Sequence, residues 1–163
     1  WRRIIWKSNS RRLLVKMENE IVIRRMSLED LSQVINLGLS TQELKTGTKA
    51  PQFYSRETLR NWIQSPNGIL LTALYKNNFI GFSITSYNPD SRDGYIHCIA
   101  INEDYRGKTM GSNLTKETIN ELKKTECNHI YCLVKVNNKE TKRFFSKYGF
   151  ETGEAFNYVQ RTI

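Results

Sequence analysis

Histidine is nearly absent from these 163 residues: His97 and His129 are the only two, too few for a His-rich metal site. Cysteine is scarce as well. Cys98, Cys127 and Cys132 are an odd number without metal-ligand spacing. They read as reduced thiols of a cytoplasmic protein, in the core or on the surface, with no bound metal. No apolar run approaches the length of a membrane-spanning helix, and the domain is expected to be soluble. Proline occurs three times, at Pro51, Pro66 and Pro89, each in a stretch that reads as loop or turn. Neither an internal repeat nor a long linker divides the chain, whose length suits one compact domain with a sizeable core.

Positive charge is plentiful but unevenly placed. The net charge is +9. Residues 1–16 hold Arg2, Arg3, Lys7, Arg11, Arg12 and Lys16 and no acid, so the other 147 residues carry 9 − 6 = +3. The body is only mildly basic, and a nucleic-acid partner is not expected apart from this arm. Within the arm, Trp1, Ile4, Ile5, Trp6 and Leu13 to Val15 alternate with the basic clusters. One reading is an amphipathic segment for RNA or a membrane surface, and a targeting peptide is another. The third is a poorly ordered tail, or translated upstream sequence ahead of a domain that starts at Met17. The chain divides accordingly into an arm, 1–16, and a single domain, 17–163.

Residues 20–24 alternate as a strand, and Ser27 opens a helix with Leu28, Leu31, Val34, Ile35 and Leu37 at helical spacing until Gly38 ends or loosens it. A second helix is expected over 55–64, with Leu59, Trp62 and Ile63 as its apolar face. Strands follow at 69–75 and 79–87, joined by a turn at Asn77-Asn78, and a third at 95–101. A helix over 111–125 leads to a strand at 130–136. Asn137 or Asn138 caps a last helix reaching Tyr148, which Gly149 ends, and Phe150 with 155–163 supply the final strands. The expected fold class is α/β (α+β). It has a mixed, mostly antiparallel central sheet with flanking helices, one of which crosses over between strands 95–101 and 130–136.

The strand ending in Ile99-Ala100-Ile101 is followed by Arg106-Gly107-Lys108-Thr109-Met110-Gly111-Ser112, which opens straight into a helix. Strand, basic glycine-containing loop and helix N-terminus in that order make an anion site. Backbone N–H groups point outward and the positive end of the helix dipole lies behind them. Gly107-Lys108-Thr109 looks like the end of a nucleotide-binding P-loop. That motif needs a glycine where Asn102 stands, and Glu103 and Asp104 would bring negative charge into the phosphate cradle.

Arg106 to Gly111 fits the pattern Arg/Gln-x-x-Gly-x-Gly/Ala except at Thr109, where the middle glycine should be. Downstream, Asn138, the small Thr141, Phe144-Phe145, Tyr148 and Gly149-Phe150 fit a second signature. Together these segments resemble the GNAT superfamily of acyl-CoA-dependent N-acyltransferases, and the element order from residue 20 to 163 is similar to that fold. The resemblance implies that main chain at Ile99, Ala100 and Ile101 bonds the acetyl and pantetheine groups of acetyl-CoA. It implies that N–H groups of Arg106, Gly107, Lys108, Thr109, Met110, Gly111 and Ser112 surround the pyrophosphate, and that Asn138 contacts pantetheine. Phe145 stands beside the cofactor where the family has a tyrosine that protonates the leaving thiolate, which phenylalanine cannot do. Tyr148, about one helical turn on, would serve as donor only if the helix presents it to the cofactor; the alternative is packing on the sheet.

No carboxylate lies within the strands 95–101 and 130–136, where the family often has one. Tyr95 and Leu133 stand where relatives carry Glu. His97 is the candidate general base, sharing a strand face with Tyr95 and Ile99; its alternative is a packed sheet histidine. Tyr95 would instead hold a water. The segment 39–64 would wall the acceptor site. Its Gln42, Glu43, Lys45, Lys49, Tyr54 and Arg56 give no dominant charge, and Phe53, Tyr54 and Trp62 offer rings for a pocket or for the core. The implied function is acetyl transfer from acetyl-CoA to a primary amine acceptor by direct transfer. The alternative is an acyl-CoA-binding module with little or no activity, suggested by Phe145 and Thr109. A homodimer stays open.

Overall fold

A computed structural model describes residues 20–44, 53–107, 109–157, 159 and 161. The expectations for the arm, and for Lys45, Lys49 and Lys108, lie outside the described residues. The chain runs β1 (Ile21–Arg25), α1 (Leu31–Ser40), α2 (Arg56–Gln64), β2 (Gly68–Tyr75), β3 (Asn78–Asn88), β4 (Asp93–Ile101), α3 (Met110–Lys123), β5 (His129–Cys132) and α4 (Lys139–Ser146). Short 3-10 turns precede α1, follow it and follow β4.

The five strands lie in sequence order in one sheet, β1 to β4 antiparallel and β5 parallel to β4. A parallel neighbour needs a crossover, which α3 supplies. Alternating side chains divide the core between the two faces. Leu31, Val34, Leu59, Phe82 and Ile84 pack under α1 and α2, and Leu71, Ala73, Ile80, Ile101 and Leu114 pack under α3. Each fully buried aliphatic side chain contributes about 1.5–3 kcal/mol.

Local chemistry sets the boundaries. Ser55 caps α2 by accepting from the Thr58 N–H at 3.1 Å, and Asn138 caps α4 by accepting from the Thr141 N–H at 3.0 Å. Gly149, at φ +84°, follows the helix end as expected. The β2–β3 turn sits one residue earlier than the sequence suggests. Tyr75 pairs with Asn78, and Lys76 (φ 49°) and Asn77 (φ 64°) are both left-handed, as a two-residue hairpin demands. Gly38 neither ends nor loosens α1; it lies buried within it.

Three further expectations are corrected. Strand β5 stops at Cys132 rather than at Val136. Phe150 and residues 151–157, 159 and 161 belong to no strand, and the rest of the expected 155–163 strand lies outside the described residues. The third correction concerns the face of His97. Ile84 pairs with Cys98 and Thr85 with Ile96, so His97 is an extra residue in β4. This bulge breaks the two-residue alternation. Tyr95 and His97 face α2, whereas Ile99 turns to the α3 side and joins the cluster around Ile101 and Leu114.

Candidate active site

Strand β4 pairs with β5 only from Asp93 to Ile96, then continues to Ile101. Beyond the His97 bulge its β5 side therefore has no strand partner among the described residues, leaving room for main-chain hydrogen bonds to an extended ligand at Ile99 and Ala100. Ala100 and Ile101 are buried and Ile99 is half-buried, so side-chain packing holds this backbone while its edge stays open.

The chain then makes a 3-10 turn at Glu103–Tyr105, capped by Asn102. Arg106 is tied back: its Nε donates to the Ile101 carbonyl at 3.1 Å, and its Nη1 lies 3.9 Å from Glu43 and 3.8 Å from Glu103. Gly107 is left-handed (φ +72°) with open space where a side chain would project. Thr109 is left-handed too, at φ 65°. A β-branched residue there is strained, which gives a physical reason for the glycine that the resembling pattern has at this place. Helix α3 begins at Met110, anchored by its buried side chain, with the Asn113 N–H bonding the Thr109 carbonyl at 2.9 Å. The first-turn N–H groups face along the axis toward the loop. The cradle thus combines glycine backbone and a helix N-terminus, a donor set that fits a pyrophosphate, while the Arg106 guanidinium braces the loop and adds local positive charge.

Helix α4 approaches from the other side. A Cβ at Gly111 would meet Ile101 and Phe144 at 3.8 Å, so Phe144 reaches the start of α3. Phe145 is buried against Phe144 and Phe150, with ring centroids at 5.4 and 5.1 Å. Tyr148 is half-buried, its ring 5.3 Å from that of Phe144. It therefore shares the α4 cluster that borders the loop, and no described contact joins it to His97. Asn138 spends its side-chain oxygen on the cap.

His97 sits among rings. Tyr95 is 4.2 Å away, Trp62 4.6 Å and Tyr54 6.1 Å, centroid to centroid. Its Nε2 is 2.9 Å from the Ser86 hydroxyl and its Nδ1 3.4 Å from the Tyr54 hydroxyl. Burial pushes the imidazole pKa down to about 4 and the Tyr54 phenol up to about 12. The ring is neutral at physiological pH, with both nitrogens engaged. Burial also lifts Cys98 to about 12 and Cys132 to about 11, so neither is a thiolate nucleophile. Among the described residues no cluster of three metal-ligating side chains occurs, and no helix is long and apolar enough to cross a membrane.

The glycine loop lies between a strand and a helix N-terminus, where the sequence puts it. Ser86 and Tyr131 escape sequence reasoning as neighbours of the site, whereas Phe144 lies within the second signature. Ser86 was findable, since the β3–β4 hairpin register sets it beside Tyr95. Tyr131 depends on a parallel pairing that no turn fixes.

A family model described as the acetyltransferase (GNAT) family matches residues 39–150. N-alpha-acetyltransferase 30 of Xenopus laevis is 24% identical over 137 residues, 82% of this chain and 48% of that protein. The chain thus spans about half the length of that relative. The protein of the same name from Schizosaccharomyces pombe is 25% identical, over 76% of this chain and 77% of its own. Among solved structures, the paia N-acetyltransferase from Thermoplasma acidophilum in complex with coenzyme A shares the fold at TM-score 0.72. Identity there is 23%, over 83% of this chain and 92% of that one.

Proposed function

This chain belongs to the acetyltransferase (GNAT) family, and on that premise we propose that it moves the acetyl group of acetyl-CoA directly to a primary amine. The observation that carries this is the open β4 edge running into the glycine loop and the α3 N-terminus. Bound acetyl-CoA supplies the activated thioester. Main chain at Ile99 and Ala100 orients it, while the loop from Arg106 to Ser112, with Lys108, holds its phosphates. Direct transfer is supported by the protonated state of Cys98 and Cys132, which argues against an acyl-cysteine route.

His97 is a positioning group for the proton's exit in this reading. The amine nitrogen forms the new amide bond, the thioester C–S bond breaks, and the amine proton passes to solvent through ordered water beside the imidazole, whose pKa of about 4 makes it a weak base. Tyr54 and Ser86 hold the ring's two nitrogens. Phe145 cannot donate to the departing thiolate, so water does, unless Tyr148 is turned inward. Tyr148→Phe separates these, since a fall in kcat at constant acetyl-CoA affinity assigns it as donor. The names of the two sequence relatives favour a protein or peptide α-amine as acceptor. The domain 17–163 carries the reaction in a reducing, cytoplasmic setting consistent with three unpaired cysteines, and residues 1–16 lie outside it.

Calorimetry with acetyl-CoA is the first test, and no binding at about 1 mM would overturn the reading. A panel of peptides and small amines, followed by released thiol, is the second. Binding without turnover across the panel would favour the alternative that Phe145 motivates, an acyl-CoA-binding module.

A further inference from the structure

The rings around His97 belong to a longer row. Tyr95 and Tyr131 are paired across β4 and β5, and their rings stack at 4.8 Å and 14°. His129 stacks on the far side of Tyr131 at 5.7 Å. On the near side the row continues through His97 and Trp62 to Tyr54, whose centroid is 4.9 Å from that of Trp62. Tyr95 and His97, two residues apart, share one face of β4, and the bulge at His97 turns Ile99 to the other. The inner members are half-buried, yet Tyr131 is 40% exposed and Leu133, just past the end of β5, is 76% exposed. A row that served only the core would close over itself. This one opens outward beside the place where β4 loses its partner.

We propose that this aromatic row is the acceptor platform, and that it selects a primary amine carrying an aromatic or bulky apolar group next to the nitrogen. The proposal rests on the acetyl-transfer reading above. Three physical points carry it. Ring faces attract an ammonium through the quadrupole and bury flat apolar groups well. Hydroxyl-rich amines would lose hydrogen bonds to water against such a surface and regain few. Asp93, a carboxylate in contact with the row, is already bound to His129 at 3.0 Å, so it is not free to favour a cationic or hydroxyl-bearing side chain. Within the row His97 lies one residue past the last β4–β5 pair, Ile96 with Cys132, so an amine held against its rings lies next to the open β4 edge where the thioester would be.

The test compares peptides of equal length and charge that begin with Phe or with Ser, and phenethylamine with ethanolamine. The expected result is kcat/KM at least about tenfold higher for the aromatic member of each pair. Tyr131→Ala should erase most of that preference through KM while leaving the acetyl-CoA affinity unchanged, and Tyr131→Phe should retain it. Equal kcat/KM within each pair overturns the proposal. So does a Tyr131→Ala variant that loses thermal stability with its preference intact, which would mean that another segment or a second copy covers this face. A failure of acetyl-CoA to bind strikes the acetyl-transfer reading instead. If nothing turns over, the CoA-saturated full chain carrying Trp1→Phe and Trp6→Phe leaves Trp62 as its single tryptophan. Saturable quenching by phenethylamine but not by ethanolamine then supports the platform, and its absence overturns it.

Discussion

Burial decides the charge of His97. The folded imidazole titrates near 4, below its ordinary 6.5, so between these values the unfolded chain takes up a proton that the native site refuses. Stability is therefore full above about pH 6.5 and falls as the pH drops toward 4. With a discount for partial solvent screening, the loss is about 2 kcal/mol. His97→Gln should flatten the urea-derived stability profile over this window, and an unchanged slope would show that the ring is not desolvated. Gly38 makes a second point at this scale. A Cβ there would lie 2.4 Å from Cζ of Phe53, whose ring packs on Tyr54 and Phe82. Alanine is the better helix former by about 1 kcal/mol, but overpacking costs about 1–3 kcal/mol. Gly38→Ala should thus be destabilising by about 1 kcal/mol in urea unfolding, and it should lower turnover by shifting Tyr54 away from His97.

Among elements, Asp30 joins β1, α1 and β2. Its carboxylate accepts from Arg24 at 2.7 and 2.9 Å, from the Ser27 N–H at 2.8 Å, and from the Ser27 and Thr72 hydroxyls at 3.1 Å each. Burial raises its pKa, but the hydrogen bonds from Arg24, Ser27 and Thr72 outweigh burial and hold it below the ordinary 3.8. Its contribution is present above that value and lost as the pH falls through the folded pKa. Asp30→Asn should cost about 2 kcal/mol at pH 7, because the freed Arg24 can rehydrate. The gap to the native chain should narrow below about pH 4; a constant gap would mean that charge is irrelevant here. Such joints show what the sequence makes legible. The caps at Ser55 and Asn138 and the Gly149 stop are local chemistry, readable from a few residues, and so is the glycine loop. The bulge is not: Tyr95 to Ile101 alternates without a mark at the extra residue, so Ile99 is naturally placed on the wrong face. The early end of β5 is equally unmarked, since Leu133 to Val136 is as apolar as the strand before it.

At the scale of the whole molecule, charge and the described site separate. Of the net +9, +6 belongs to residues 1–16, leaving +3 for the rest. The cofactor cradle draws on Arg106, the glycine backbone and the α3 N-terminus, all short-range devices that fade within about 10 Å at physiological salt. The arm's charges act differently, adding to attraction for any extended polyanion roughly in proportion to the phosphates neutralised. Deleting residues 1–16 should therefore leave the calorimetric affinity for acetyl-CoA within about twofold. It should also make the protein elute from heparin at distinctly lower salt. Each of the arm's cations that pairs with a phosphate in the native chain steepens the plot of log affinity against log salt by about 0.7–0.9, and the deletion removes that increment. An acetyl-CoA affinity that falls on deletion would mean that the arm lends charge to the pyrophosphate loop. In that case Lys108 and Arg106 would not suffice as the local cations, and the boundary drawn at residue 17 would be wrong.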